Sequence, residues 1–445
     1  MKPIITPAEM NAIDAAAPES VEVLIDRAGR ALARKAIAMM GGTYGRRVVV
    51  IAGLGNNGAD GRVMAHHLER RGVRCEMFDA REAPDRVPRC DLFVDAAYGT
   101  GLSRPYSCPA FVDDTPILAV DIPSGVSGLT GEAIGSPAPA SVTVTFAALK
   151  PGLVFEPGRS LAGTVEVADI GLKVGHTGVN LVEAADVRVW IPERPANAHK
   201  WNSAVRIIAG SEGMTGAAHL ASRAAMRSGA GYVQLASPGL DHDPAAPTEV
   251  VGLAIPAEGW GDHSLQGLER FRAMLVGPGL GRGAITDLLE ATAAELPLVV
   301  DGDALTSRVI ERLRRRKSPT VVTPHDGEWR RIGGSEGSDR IAATKDFAIA
   351  NNVVTLRKGA TTVIADPSGE VLVVANGNNS LATAGTGDVL SGMIVAMIAD
   401  GLDPFRAAAS AAYLHAAAAH IGGRGLVAGD VPELIPVAID SLGVG

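Results

Sequence analysis

Aromatic residues are scarce in this chain of 445 residues, with 4 Trp, 5 Tyr and 8 Phe. A core must therefore come from Val, Ile, Leu and Ala, and with 53 glycines to make tight turns this suits an α/β protein. Cysteine is nearly absent: Cys75, Cys90 and Cys108 are an odd number without C-x-x-C spacing. That argues against a disulfide framework or a zinc site and for a reducing compartment. Basic charge is also short, 41 Lys and Arg against 49 Asp and Glu, leaving −8. A nucleic-acid partner would demand a basic face, so none is expected. The one dense basic run, Arg312 to Lys317, reads as the solvated end of a helix. No apolar run reaches the roughly 20 residues of a membrane helix, and MKPIITPAEM has no apolar signal core. No membrane association and a cytoplasmic location are the expectation.

What is present has the profile of an ordinary globular chain, 47% apolar and 20% charged. Its length points to two domains. Thr6-Pro7-Ala8-Glu9 is a helix start with a capping box. A second helix is predicted over 21–40, with Leu24, Ala28, Leu32 and Ala36 on one face and a stop at Gly41-Gly42. Apolar strands at 47–52, 74–78, 92–94, 117–120 and 142–146 then alternate with helical segments, the first over 61–71. This implies βαβ units in a mostly parallel sheet. The rhythm is lost between 171 and 202, where 191–197 reads as a connector. A second alternating region opens at Val205 and includes a hairpin, 362–365 and 371–374, around Asp366-Pro367-Ser368-Gly369. The expected division is 1–195 and 196–445, each domain an αβα sandwich.

Ligands of open α/β sheets bind beyond the carboxyl ends of the strands. In the first domain, three polar constellations stand there. Gly53-Leu54-Gly55-Asn56-Asn57-Gly58 follows a strand and matches G-x-G-x-x-G, with Asp79 about twenty residues on. As a dinucleotide fingerprint it is weak, because Asn56, Asn57 and Asp60 fill positions such a turn keeps bare. Their amides and carboxylate suit a polar ligand or a hard cation, although an Asn-Gly turn with a helix cap would also place them. Asp95 to Leu102 and Asp121 to Val126 end two further strands. A carboxylate buried there can be tuned for proton transfer, and a lone one is more often a cap.

In the second domain, Ala384-Gly385-Thr386-Gly387-Asp388 opens a helix. Free N–H groups and the dipole would meet an anion, and Asp388 could deprotonate a hydroxyl beside it. The plain alternative is a helix start with a first-turn Asp. No Gly-Lys-Ser/Thr follows, so this is not a P-loop.

GLGNNGADG, DAAYGTGL, DIPSGV and Lys150-Pro151-Gly152 together resemble the NAD(P)H-hydrate epimerases, over about residues 5–175. That resemblance implies a Rossmann-like domain. It makes Asn57, Asp95 and Ser124 potassium ligands, and Asp121 the catalytic acid/base. Asn56, Asn57, Gly58, Ala59 and Asp60 would hold substrate, with Gly99, Thr100, Gly101, Leu102, Ser103, Arg104 and Pro105. One departure is NNGADG where the family has NNGGDG, harmless unless Ala59 needs a positive φ.

From about 198 to 440, G-T-G-D with GPGLG (277–281), DGDAL (301–305), TPHDGE (323–328) and KGAT (358–361) resembles the ribokinase-like NAD(P)H-hydrate dehydratases. Carried over, Lys358, Gly359, Ala360, Thr361, Thr362, Gly385, Thr386 and Gly387 bind the adenine nucleotide. Ala217, Gly279, His325 and Asp388 contact the hydrated nicotinamide nucleotide, NADHX or NADPHX, and Asp388 is catalytic. The resemblance implies magnesium, ADP (or ATP) and self-association. His199-Lys200-Trp201-Asn202 departs from the family's H-K-G opening. A small-molecule kinase and a ligand-binding scaffold with a silent first domain are the rival readings.

Overall fold

The computed structural model describes residues 1–443 apart from Ser103, Asp113, His242 and Arg282. The chain forms two compact units, Lys2–Thr177 and, with Met1, Gly178–Gly445.

The first unit is built on a parallel sheet ordered Arg74–Asp79, Arg47–Ala52, Leu92–Ala96, Ile117–Val120, Val142–Phe146, Thr164–Ala168. Its central strands are continuous apolar runs because both of their faces are covered. On one face the helices Val21–Met40 and Asn56–Glu69 pack Ala28, Leu32 and Ala36 with Met64, Ala65 and Leu68. The helix Pro7–Ala15 starts as expected: Glu9 N–H donates to Thr6 Oγ1 (3.2 Å) and Thr6 N–H to Glu9 Oε2 (2.7 Å).

The helix predicted over 61–71 instead spans Asn56–Glu69. Gly55 is its extended N-cap, so the glycine-asparagine motif is the first helical turn rather than a loop before it. Gly58 is required there, because a Cβ would lie 1.9 Å from the Gly53 carbonyl. Ala59 has helical backbone and is not among the positive-φ residues, so its methyl departs from the family harmlessly. Gly58→Ala is expected to lower stability by about 1–3 kcal/mol, read as a reduced midpoint in urea.

The second unit's strands run Val179–Leu181, Val371–Val374, Thr362–Ala365, Val354–Arg357, Thr320–Val322, Leu298–Val300, Ala273–Val276, Ala204–Ile208, Tyr232–Ala236, Val251–Gly252. Among these strands only that of the expected hairpin, Thr362–Ala365, is antiparallel to its neighbours. The helix Thr386–Ala399 is apolar all round and buried from Val389 onward, which marks it as a core element. It packs on Thr215–Arg227. Gly392 makes that approach possible, since a Cβ there would meet the Ala221 carbonyl at 2.2 Å.

Two sequence readings shift, and one departure from the family is placed. The compact division falls at 177/178, not 195/196, because Val179–Leu181 pairs with Val371–Val374 and the helix Ala184–Trp190 packs on Pro404–Gly422. The run 312–317 is not all solvated: the Arg316 guanidinium donates to the carbonyls of Thr292, Ala294 and Leu296 at 2.5–2.6 Å, and burial lowers its pKa to about 10. The His199 departure forms a 3-10 turn, Lys200–Ser203, with Trp201 packed on Tyr232 at 4.6 Å.

Candidate active sites

In the first unit, the helix starting at Asn56, the loop after Leu92–Ala96 and the end of Ile117–Val120 meet at one edge of the sheet. With the helices Pro7–Ala15 and Val21–Met40 they line an open cavity of about 590 Å³. Asn56, Asn57, Asp60, Gly99, Thr100, Gly101, Leu102, Arg104 and Asp121 line it. Gly58, Ala59 and Pro105 belong to the same segments but do not line it, and Ser103 lies outside the described residues.

Asp121 has a positive φ of 64°, uncommon for a residue with a Cβ. Such backbone persists where the surroundings hold it, and it gathers at functional sites. Here the Asp121 N–H donates to Val144 O at 2.8 Å, extending the ladder with Val142–Phe146 by one residue. Asp121 Oδ1 accepts from Lys150 Nζ at 2.7 Å and Thr145 Oγ1 at 2.9 Å. Lys150 is only 1% exposed, and its ammonium donates also to Thr145 Oγ1 (2.8 Å) and Phe146 O (3.0 Å). One carboxylate oxygen is thus fixed by two donors, while the residue as a whole lines the cavity.

Asp60 and Asp14 complete an acidic cluster on this cavity. Burial, then the nearby charges of Asp121 and Asp14, push Asp60 up to about 8. Burial also raises Asp14, with Lys150 opposing it and Asp121 reinforcing it.

Behind the cavity wall, Asp95 is fully buried and accepts from Ser124 N–H (2.8 Å), Ser124 Oγ (2.5 Å) and Ala97 N–H (3.3 Å). Ser124 Oγ accepts from Tyr98 N–H at 2.8 Å. Asn57 is different: both its side-chain amide atoms are buried without a hydrogen-bond partner. Leaving such a group unsatisfied costs about 1–3 kcal/mol, so it marks a place for a ligand or ion.

In the second unit, Asp388 stands in the first turn of Thr386–Ala399, with Gly385 at φ 93° as its N-cap. Lys358, at the end of Val354–Arg357, reaches the same point. A Cβ on Gly387 would lie 3.3 Å from its Nζ. That ammonium donates to Asp301 Oδ1 (2.9 Å) and lies 3.5 Å from Glu328 Oε2. Burial first, then Asp301, raises Asp388 to about 7, with Lys358 opposing. The carboxylates hold Lys358 above the ordinary lysine value against its own desolvation.

The remaining predicted residues of this unit make the following local contacts. Gly279 and Ala217 are neighbours, a Cβ on the glycine lying 2.9 Å from the Ala217 methyl. Leu220, one turn on from Ala217, abuts Gly385. His325 caps the helix Asp326–Arg331, its Nδ1 accepting from Gly327 and Glu328 N–H at 2.9 and 3.2 Å. Gly359 is held near Arg340, whose Nη2 donates to Lys358 O at 3.1 Å. Thr361 is buried, Thr362 Oγ1 lies 3.4 Å from Gly359 O, and Ala360 O abuts Gly377. Thr386 Oγ1 closes the preceding loop on Leu381 O and Thr383 O.

The motifs left four side chains without a role: Asp14, Thr145 and Lys150 in the first unit and Asp301 in the second. Asp14 had a faint signal, three positions after Asn11 on a helix face that also carries Met10. Lys150 stood in a motif, but nothing in the sequence tied it to Asp121.

Two family models match the chain. One is described as NAD(P)H-hydrate dehydratase, over residues 205–424. The other is the YjeF-related protein N-terminus, over 21–87 and 78–152. The bifunctional NAD(P)H-hydrate repair enzyme of Moorella thermoacetica is 35% identical, across 99% of this chain and 97% of its own. That of Salinibacter ruber is 34% identical, across 100% and 97%. Among solved structures, the ADP/ATP-dependent NAD(P)H-hydrate dehydratase of Bacillus subtilis, co-crystallised with ATP and Mg2+, is 32% identical. It superposes with a TM-score of 0.52, covering 58% of this chain and 97% of that one.

Proposed function

Since the chain belongs to the bifunctional NAD(P)H-hydrate repair enzymes, we propose a division of its epimerase and ADP/ATP-dependent dehydratase activities between named residues of the two units. The cavity of the first unit takes the hydrated nicotinamide nucleotide, held by Asn56–Asp60 and Gly99–Pro105. Asp121 exchanges protons with it as the R and S epimers interconvert. Lys150 and Thr145 fix Asp121 Oδ1 and so aim the carboxylate. The fit of potassium is supported by the unpartnered Asn57 amide and by the hard oxygens of Asp95 and Ser124. When bound, that ion supplies fixed positive charge for a polar ligand.

In the second unit, Asp388 takes the proton of the 6-hydroxyl as the nucleotide phosphorylates that oxygen. The ring-nitrogen lone pair then expels phosphate to leave a C6=N iminium, and loss of a proton from C5 forms the C5=C6 double bond of NAD(P)H. Lys358–Thr362 and Gly385–Gly387 hold the adenine nucleotide, His325, Ala217 and Gly279 the hydrate. Magnesium, when bound with the nucleotide, neutralises phosphate charge, and Glu328 is a buried oxygen donor of the type it takes. We favour ADP, with AMP and phosphate as products. Cytoplasmic residence and self-association belong to the same proposal; among the described residues no helix is long and apolar enough to cross a membrane.

The observation that carries the reading is Asp388 at a helix N-terminus, beside Lys358 and with its carboxyl raised to about 7. A base poised near the working pH is what hydroxyl deprotonation needs. The test supplies purified protein with mixed R and S hydrates, ADP, magnesium and potassium, and follows the return of reduced-nicotinamide absorbance. Recovery of the whole pool supports both roles. A stable phosphorylated product would make the second unit a simple kinase. Recovery of the S fraction alone would make the first unit a scaffold. Replacing potassium by sodium is expected to slow epimerisation by about tenfold or more while leaving dehydration of pure S hydrate unchanged within twofold. Equal rates in the two salts would remove potassium from the assignment.

A further inference from the structure

The epimerase cavity holds three carboxyl groups in two different electrostatic settings. Asp121 is ion-paired with Lys150 at 2.7 Å. Asp60 is 7% exposed and the groups acting on it are both acidic, Asp121 and Asp14. Asp14 comes from Pro7–Ala15, while Asp121 and Lys150 come from the sheet edge. Arg104 enters from the loop, at the rim of the same cavity. The helix Val21–Met40 contributes only apolar side chains to the wall: Val21, Leu24, Ile25 and Ala28. Buried among these groups, with negative neighbours acting on it, the Asp60 carboxyl is most stable with a proton on it. One carboxyl held in an ion pair with Lys150 and another buried with only acidic groups acting on it is an arrangement that can divide acid from base.

The reaction calls for both. The C6 carbon of the hydrate carries a hydroxyl and is bonded to the ring nitrogen, so it can lose that hydroxyl as water. We propose that Asp60 is the acid of the epimerisation, donating its proton to the departing C6 oxygen, and that Asp121 is the base that takes a proton from the water that returns. The C6–O bond breaks with its electron pair on oxygen, which leaves as water. The nitrogen lone pair forms a C=N bond, and C6 becomes planar. Water adds from either face, forming a new C6–O bond, and its proton passes to Asp121. Proton exchange with solvent then restores Asp60 acid and Asp121 carboxylate. Asp60 thereby acquires a chemical role beyond holding substrate, a role that rests on the epimerase reading of this cavity.

The test uses the full chain at fixed potassium. Asp60→Asn keeps the size and polarity of the side chain but has no acidic proton. It is expected to lower the epimerisation kcat by about 100-fold or more, with KM changed by less than threefold. Dehydration of pure S hydrate, in the same protein, is the check that the chain is folded. Independently, wild-type epimerisation should fall as pH rises through about 8, where Asp60 loses its proton. Epimerisation in ¹⁸O-labelled water should place label on C6 at the rate of epimer interconversion. Activity of the Asp60→Asn variant above one tenth of wild type, a flat wild-type profile between pH 7 and 9, or epimers interconverting without label would each overturn the assignment. If wild type itself does not epimerise, the fault lies instead with the function proposed for the cavity.

Discussion

Asp388→Asn is expected to reduce NAD(P)H recovery from pure S hydrate by about 10³-fold or more, and to leave R/S interconversion within twofold of wild type. The size follows from what the amide cannot do. It fits the first turn of Thr386–Ala399 and can accept a hydrogen bond, but it cannot take the hydroxyl proton; general-base removal alone costs about 10²–10⁴. The pH profile carries the same signature. In the proposed role Asp388 acts as the ionised carboxylate, and burial with the Asp301 charge raises it to about 7. The wild-type rate therefore climbs between pH 6 and 8 and levels above, and the residual rate of the variant lacks that limb. Stability moves the other way. A carboxyl raised in the folded state favours folding fully below its unfolded pKa, near 4, and that contribution is lost as pH rises through about 7. Asp388→Asn should thus melt higher than wild type at pH 8, with the gap closing as pH is lowered towards 4. A variant that melts lower at pH 8 would show that Lys358 satisfies the Asp388 charge and that the fold does not favour the protonated carboxyl.

Which features could be read from sequence depends on whether local or distant residues decide them. The parallel sheets were readable, because a strand covered on both faces must be a continuous apolar run, and VVVIA at 48–52 is such a run. The Asp121 and Asp388 positions were readable because each immediately follows or begins an element that motif spacing defines. The start of the helix at Asn56 was not, since glycines and asparagines resemble a loop until the close approach of Gly58 to the Gly53 carbonyl is seen. Arg316 looked like one more solvated cation of a basic run. Only the fold brings three carbonyls from residues 292–296 around it. The state of Asp60 depends on Asp14, 46 positions earlier, and on Asp121, 61 later, and no local pattern encodes that meeting.

Lys150 shows the same dependence most sharply, and its removal should have the second large effect. Lys150→Met is expected to lower epimerisation by about 100-fold, leave dehydration of S hydrate within twofold, and make a mixed pool stall once the S fraction is consumed. The methionine fills much of the lysine volume, so packing is largely kept. What goes is the ammonium that fixes Asp121 Oδ1, together with its bonds to Thr145 Oγ1 and Phe146 O. Asp121 keeps the Thr145 hydroxyl and partial access to solvent, so its carboxylate can rehydrate. That limits the stability cost to about 1–3 kcal/mol, less than for a fully enclosed pair. It also frees the carboxylate to rotate away from substrate, and loss of aim in a proton transfer is costly. Lys150→Arg separates charge from geometry: it restores the positive charge, but a planar guanidinium does not fit a pocket that leaves the lysine 1% exposed. Epimerisation by the arginine variant should therefore stay below one tenth of wild type. Full recovery with arginine would mean that Lys150 acts only through its charge, and that the three short contacts do not position Asp121.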